Sequence, residues 1–369
     1  MTTGAAGAPD APSTGGLPQE DDTVLVRREG RAGRLTLNRP RALNALTHTM
    51  VSRIDAALTA WEGDPSVHTV VVDGAGERGL CAGGDIRAIH EDALTGGTAS
   101  PAFWRDEYRL NARIARHEGP YVAFMDGIVM GGGVGVSAHG NVRIVTERSR
   151  VAMPETGIGL VPDVGGTYLL SRAPGELGTH LALTGAAVGA ADAILCGLAD
   201  HFVPSDRLPA LAAELASTEV PVALGRHAAP PPGGELAADR AWIDTCYAAD
   251  SVEEIVDRLF GCGHRAAKQT AETILTRSPT ALKATLAALR GARALGTLEE
   301  VLDAEYRASC AALRTPDLVE GIRAQVIDKD RMPHWAPAEL ELVTDADVAR
   351  FSAVPAGGDL GLARPEAVS

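Results

Sequence analysis

The residues best placed to do chemistry lie in the run VAMPETGIGLVPDVGG, from Val151 to Gly166, where Glu155 and Asp163 are the only charged positions. A carboxyl group among apolar neighbours resists ionisation. Two in one such stretch point either to a paired structural acid or to groups tuned for proton transfer or nucleophilic attack. Two glycine-rich turns precede them. Leu80 to Ile86 reads LCAGGDI, in which the glycines let the backbone approach a ligand closely and Asp85 is expected to cap the following helix. Met130 to Val136 reads MGGGVGV, a strand-to-helix turn whose exposed N–H groups suit an anion or a polarised oxygen. That turn is not GxGxxG and lacks the lysine of a phosphate-binding loop. No Gly-x-Ser-x-Gly elbow, histidine triad or His-x-x-x-His spacing supports serine hydrolysis or zinc chemistry, and His139 and His201 read as structural.

The elements that must carry these segments alternate. From Thr23 to Asn38 apolar and polar residues alternate on both sides of a glycine turn, as in a β-hairpin. Val51, Ile54, Ala57, Leu58 and Trp61 share one helical face, and His68 to Asp73 reads as a buried strand. Further strands are expected at Tyr121 to Met125 and Val142 to Val145, with a helix starting in Gly131 to Gly133. This alternation predicts a layered α/β domain. Beyond Pro204 the strand signals fade, and the run PPPGG at Pro230 to Gly234 marks a flexible connection into a helical region. Capping signals at Ser251 with Glu254, at Thr297 with Glu300, and at Ser278 before Pro279 mark helix starts there. At least four helices are expected between Ala238 and Ile327.

The runs NRPRALNAL (Asn38 to Leu46), LCAGGDI, MGGGVGV and MPETGIGLVPDVGG occur in the order and at the intervals of the crotonase, or enoyl-CoA hydratase/isomerase, superfamily, which the chain resembles from about Val24 to Leu215. A narrower similarity, to 3-hydroxyisobutyryl-CoA hydrolases, adds FWRDEY (Phe103 to Tyr108), ALTGAAVGAADAILCGLADHFV (Ala182 to Val203), RSPTALK (Arg277 to Lys283) and EGIRAQVIDKDRMPHWAP (Glu320 to Pro337). The resemblance implies an α/β fold with a crotonase-like ββα spiral core over residues 23–215 and a helical C-terminal region over 236–352. Residues 1–22 and 353–369 are expected to be flexible tails.

Enoyl-CoA hydratases use two glutamates around one water. The position of the first, two residues after the glycine triplet, is Gly135 here, whereas the second matches Glu155. Asp163 matches a position that is glycine in typical hydratases and aspartate in the hydrolases. Thioester hydrolysis is therefore the expected reaction, on a short β-hydroxyacyl-CoA, with 3-hydroxyisobutyryl-CoA of valine breakdown the favoured substrate. Enoyl-CoA hydratase/isomerase activity, or acyl-CoA binding without catalysis, are the alternatives. The resemblance implies an oxyanion hole from the amides of Gly84 and Gly132, Glu155 as nucleophile or base, and Asp163 beside it. Glu107 is implied as a substrate contact, although Arg105 and Arg109 nearby would equally suit a solvated salt-bridge face. Ala42 backbone groups and Arg41 would meet the CoA adenine and phosphates, a solvated loop arginine being the other reading of Arg41. No metal and no cofactor is expected, CoA being part of substrate and product. Trimers are common in that superfamily, so a homo-oligomer is one expectation, a chain that closes on itself or another assembly being the alternatives.

A net charge of −14 without a basic run disfavours nucleic acid or an anionic membrane as partner. Five cysteines without CxxC spacing read as reduced, packed thiols. No apolar run approaches the roughly 20 residues of a membrane span, and the first 22 residues carry neither an apolar signal core nor the arginines of a transit peptide. A cytoplasmic location is the resulting expectation.

Overall fold

The computed structural model of the chain describes residues 22–363. Its main sheet runs β1 (Val24–Glu29), β2 (Ala32–Leu37), β3 (Thr69–Gly74), β4 (Tyr121–Met125), β6 (Val142–Val145) and β8 (His201–Phe202). The β1–β2 hairpin is antiparallel, Val24 facing Leu37, and every later pairing is parallel. A second, two-stranded parallel sheet pairs β5 (Ile128–Met130) with β7 (Arg150–Ala152). Each turn of the chain thus deposits one strand in the large sheet, and two of the turns also deposit one in the small sheet.

The parallel strands are apolar on both faces because both are covered. Leu35, Val70, Val72 and Ala123 pack with helix α1 (His48–Trp61), whose apolar stripe is that read from the sequence. Val71, Val122, Phe124 and Ile144 pack under helices Leu208–Leu215 and Val220–His227. Helices α2 (Ile86–Thr95) and α4 (Gly132–Gly135) follow the two glycine turns, and α3 (Ala99–Ala115), directly after α2, carries FWRDEY.

From Leu236 onward the chain is helical, and its apolar residues, Ile243, Leu282 and Leu302 among them, join the same core as Leu35 and Leu37. Six helices occupy the stretch expected to hold at least four. Ser251, Ser278 and Thr297 each accept from the backbone amide three residues on, and Thr297 with Glu300 forms a complete capping box. The connection through PPPGG is anchored at its end, where the Asp192 carboxylate accepts the amides of Glu235 and Leu236.

Two expectations are corrected. Residues 353–363 are docked, not frayed: Leu360 is buried, Arg307 pairs with Asp359, and the amides of Leu362 and Ala363 donate to Asp303. Asp85 makes no side-chain cap of α2; its carboxylate pairs with Arg39 at 3.0 Å, which ties the NRPRALNAL run to the LCAGGDI turn. The expectations for residues 1–21 and 364–369 lie outside the described residues.

The sheets meet the site through close backbone approaches. A β-carbon at Gly133 would fall inside the contact distance of the Cys81 carbonyl, so the start of α4 can lie against the LCAGGDI strand only without a side chain there. Gly133→Ala is expected to lower the thermal unfolding midpoint by at least about 3 °C, through overpacking worth about 1–3 kcal/mol. Scanning calorimetry would check it, and an unchanged midpoint would show that this contact yields freely.

Candidate active site

Three segments distant in sequence enclose one cavity of about 270 Å³. The LCAGGDI turn gives Gly83 and Gly84, the MGGGVGV turn gives Gly131 and Gly132, and the acid-bearing run gives Glu155, Gly157 and Asp163. Helix α3 adds Phe103, Trp104 and Glu107, and the C-terminal region adds Arg277, from the turn between helices Arg265–Ile274 and Pro279–Ala294, and Gln325. Apolar side chains of Ile86, Ile89, Ile158 and Leu160 complete the wall.

The glycines put main-chain donors into this space. Neither the Gly84 nor the Gly132 amide donates to a protein acceptor among the described residues. The two turns touch: a β-carbon at Gly132 would stand 3.3 Å from the Gly84 nitrogen and 2.6 Å from Glu107 Oε1. A carboxyl oxygen and two unused amides therefore converge on one point.

The acids are deeply buried, with relative exposures of 1% for Glu107, 5% for Glu155 and 6% for Asp163. Among the described residues, Glu107 Oε1 and Glu155 Oε2 have no hydrogen-bond partner. Burial, then the neighbouring Asp163 charge, holds both glutamates well above the ordinary carboxylate range. Burial also pushes Asp163 up, to about 6, against the opposing pull of a hydrogen bond from Tyr108. The Tyr108 hydroxyl gives Asp163 a donor to its charged form.

The loop carrying Asp163 is held from outside. Val164 has φ of 53°, a left-handed conformation costly for a β-branched residue. Its carbonyl meets His139 Nε2 at 2.7 Å. Burial lowers the His139 pKa to about 4, so the ring is neutral and donates. Glu305, from helix Leu298–Ala312, accepts the amides of Gly165 at 2.6 Å and Thr167 at 2.8 Å, and the Thr167 hydroxyl. Burial pushes Glu305 up to about 8 against those donors.

The structure brings together Glu155, Asp163, Glu107, Gly84 and Gly132. The solvated-face alternative for Glu107 does not hold, because α3 turns it inward while Arg105 bonds Tyr306 and Arg109 lies near Asp106. Arg41 and Ala42 are not brought in: they sit on an exposed turn (Pro40–Ala42) outside the cavity lining. That turn is linked to the site through the Ala82 amide, which donates to the Leu43 carbonyl. Position 135 is closed, since a β-carbon there would meet Val164 Cβ at 2.8 Å and Asn111 Nδ2 at 2.9 Å. Cys81 is buried, and burial pushes its thiol up to about 12, as befits a packed residue. Tyr108, Glu305 and Gln325 were not singled out by sequence. Tyr108 could have been noticed as the neighbour of Glu107 in FWRDEY, but nothing local marks Glu305. Among the described residues no cluster of His, Cys, Asp and Glu is placed to hold a metal ion, and no helix is long and apolar enough to cross a membrane.

A parallel-sheet spiral whose glycine turns and buried acids face one cavity defines an acyl-CoA enzyme of the crotonase type, and the chain belongs to the enoyl-CoA hydratase/isomerase family, whose profile matches residues 32–352. It is 44% identical over 345 residues to the mitochondrial 3-hydroxyisobutyryl-CoA hydrolase of Rattus norvegicus, covering 90% of this chain and 89% of that protein. The Homo sapiens protein of the same name is 42% identical, over 89% and 87% of the two chains. Among solved structures, a carnitinyl-CoA dehydratase from Mycobacterium thermoresistibile superposes with a TM-score of 0.90 at 53% identity, over 93% of this chain and all of that one. An enoyl-CoA hydratase from Rhodobacter sphaeroides follows at 0.84 and 46%, over 91% and 98%. The expectation of a cytoplasmic location is overturned by the first two, which are named as mitochondrial enzymes and point away from a purely cytoplasmic one. Acidic charge and the lack of a spanning segment bear on membranes and polyanions; they do not separate one aqueous compartment from another.

Because its folded-state pKa is raised, Glu155 weighs against stability increasingly as pH climbs above the unfolded value of about 4.5. The cost is absent below that value and complete above the folded pKa. Glu155→Gln is expected to raise the unfolding midpoint at pH 8 and leave it nearly unchanged at pH 4. Equal midpoints of the two proteins at pH 8 would contradict the buried, charge-averse setting.

Proposed function

We propose that the protein hydrolyses a short β-hydroxyacyl-CoA, 3-hydroxyisobutyryl-CoA of valine breakdown being the favoured substrate. The observation that carries this reading is that Glu155 shares its cavity with Asp163 and Glu107 while position 135 is closed by Val164 and Asn111. Adding water across an alkene needs acid and base work from two correctly opposed groups, and the site of one hydratase carboxylate is filled here. The names of the vertebrate relatives support the same reading.

In this reading the thioester oxygen sits between the Gly84 and Gly132 amides, which stabilise the oxyanion that forms when the carbonyl is attacked. Such a donor is typically worth about 3 kcal/mol of barrier. The attacking oxygen comes either from the Glu155 carboxylate, giving an acyl-enzyme anhydride that water then cleaves, or from a water whose proton Glu155 takes. In both cases the carbon–sulfur bond breaks and CoA leaves as a thiol after gaining a proton. A Glu155 whose proton affinity is raised by burial and by Asp163 is a stronger nucleophile and base once ionised. Glu107, its proton affinity raised by burial and its Oε1 bare, is suited to a substrate hydroxyl, because a buried carboxyl oxygen without a partner is costly until a ligand meets it. CoA enters and leaves with the acyl group, and no further cofactor is invoked.

Hydratase or dehydratase chemistry is the second reading, favoured by the titles of the two solved structures at 53% and 46% identity. A panel of acyl-CoAs scored by a thiol reagent separates the two. Thiol release is expected to be fastest with 3-hydroxyisobutyryl-CoA or 3-hydroxypropionyl-CoA, and to fall at least about 100-fold in Glu155→Gln and in Asp163→Asn. Rapid loss of the crotonyl-CoA alkene without thiol release would refute the hydrolase reading.

A further inference from the structure

Behind the cavity, the Tyr108 hydroxyl lies 2.7 Å from Asp163 Oδ2 and 2.7 Å from Ser309 Oγ. All three groups are buried, the tyrosine and serine completely. Asp163 offers only acceptors when ionised, so the tyrosine proton must point at it. The second contact then has one consistent polarity, with the Ser309 hydroxyl donating to Tyr108 Oη. Tyr306 packs edge-on against the Tyr108 ring, centroids 6.3 Å apart, which fixes the ring plane. The chain of donors therefore crosses from helix Leu298–Ala312 through α3 to the acid loop.

We propose that Tyr108, oriented by Ser309, is a positioning residue that commits Asp163 Oδ2 to the protein and favours the charged form of Asp163. The proposal rests on the hydrolase reading for its catalytic meaning and on the hydrogen bonds for its substance. The groups facing Asp163 are otherwise all acids: Glu107 from α3, Glu155 from the turn Glu155–Ile158, and Glu305 from helix Leu298–Ala312. Both Glu107 and Glu155 feel its charge, as does Glu305. Among the described residues Arg277 is the one cation lining the cavity, and its Nε and Nη2 are engaged by the Thr184 carbonyl. Without the tyrosine donor, the charged form of Asp163 loses the hydrogen bond that opposes the effect of its burial.

The test is a pH titration of the Asp163 carboxyl by NMR of protein labelled with 13C at aspartate side-chain carboxyls, the resonance being assigned by its loss in Asp163→Asn. A donor to the charged form lowers a carboxyl pKa, so its removal raises it. Tyr108→Phe is expected to move the Asp163 midpoint up by about one pH unit, Ser309→Ala to move it in the same direction by less, and each to lower kcat for thiol release more than it changes KM. Tyr108→Phe with an unmoved midpoint, whatever its thermal stability, overturns the proposal, because a merely structural tyrosine would lower the melting point and leave the titration alone. If Tyr108→Phe does not fold, an unmoved midpoint in Ser309→Ala overturns it equally. A shifted midpoint in a protein that releases no thiol would refute the hydrolase reading and leave the donor chain standing.

Discussion

Among the described residues lining this cavity, negative charge is met by two unused backbone amides and by Arg277, part of whose guanidinium is bound to the Thr184 carbonyl. Three carboxyl groups project into one apolar enclosure, where a second or third ionisation is opposed both by burial and by the first. Arg277, on the wall, has Nε and Nη2 turned to the Thr184 carbonyl. Two main-chain N–H groups, at Gly84 and Gly132, are left without protein acceptors. A ligand oxygen that gains electron density is the group this arrangement is short of. The rest of the structure can be understood as what is needed to bring two amides and three acids into one cavity.

Meeting that need uses contacts of long range. The amides come from turns that approach only because Gly133 bears no side chain, and the LCAGGDI turn is braced by the Arg39–Asp85 pair. The acid loop passes through a left-handed valine that His139 and Glu305 secure from opposite sides of the sequence. The C-terminal helices are thus part of the site rather than an appendage. They supply Glu305 and Ser309 behind the acids and Arg277 and Gln325 at the cavity wall, and they share one core with the spiral.

Much of this was legible in the sequence wherever a local pattern carried it. The hairpin, the α1 stripe, the strands at 121–125 and 142–145 and the helix starts at Ser278 and Thr297 all follow from periodicity and capping chemistry, which act within a few residues. Glu155, Asp163 and the two glycine turns were visible because their neighbours are apolar or glycine. Glu107 was ambiguous since its flanking arginines are consistent with a solvated face; only the packing of α3 under helix Leu298–Ala312 decides that it points inward. Glu305 is 138 positions from Thr167, and Ser309 is 201 from Tyr108, so neither partnership leaves a local trace. Asp85 misled for a related reason: its sequence context offers a cap, but Arg39, 46 residues away, takes the carboxylate. The end of the chain misled through composition, because a Gly- and Ala-rich segment can still be pinned by a few well-placed acceptors such as Asp303.

The convergence of amides and acids on one carbonyl is tested most directly by a crystal structure with a substrate isostere in which the thioester sulfur is replaced by methylene, which keeps the carbonyl and removes the scissile bond. The ketone oxygen is expected to accept from both the Gly84 and Gly132 amides at about 2.7–3.1 Å, with Glu155 facing the carbonyl carbon and the substrate hydroxyl meeting Glu107 or Asp163. A ketone bound with its oxygen away from both amides, or with Glu155 turned out of the cavity, would contradict the account.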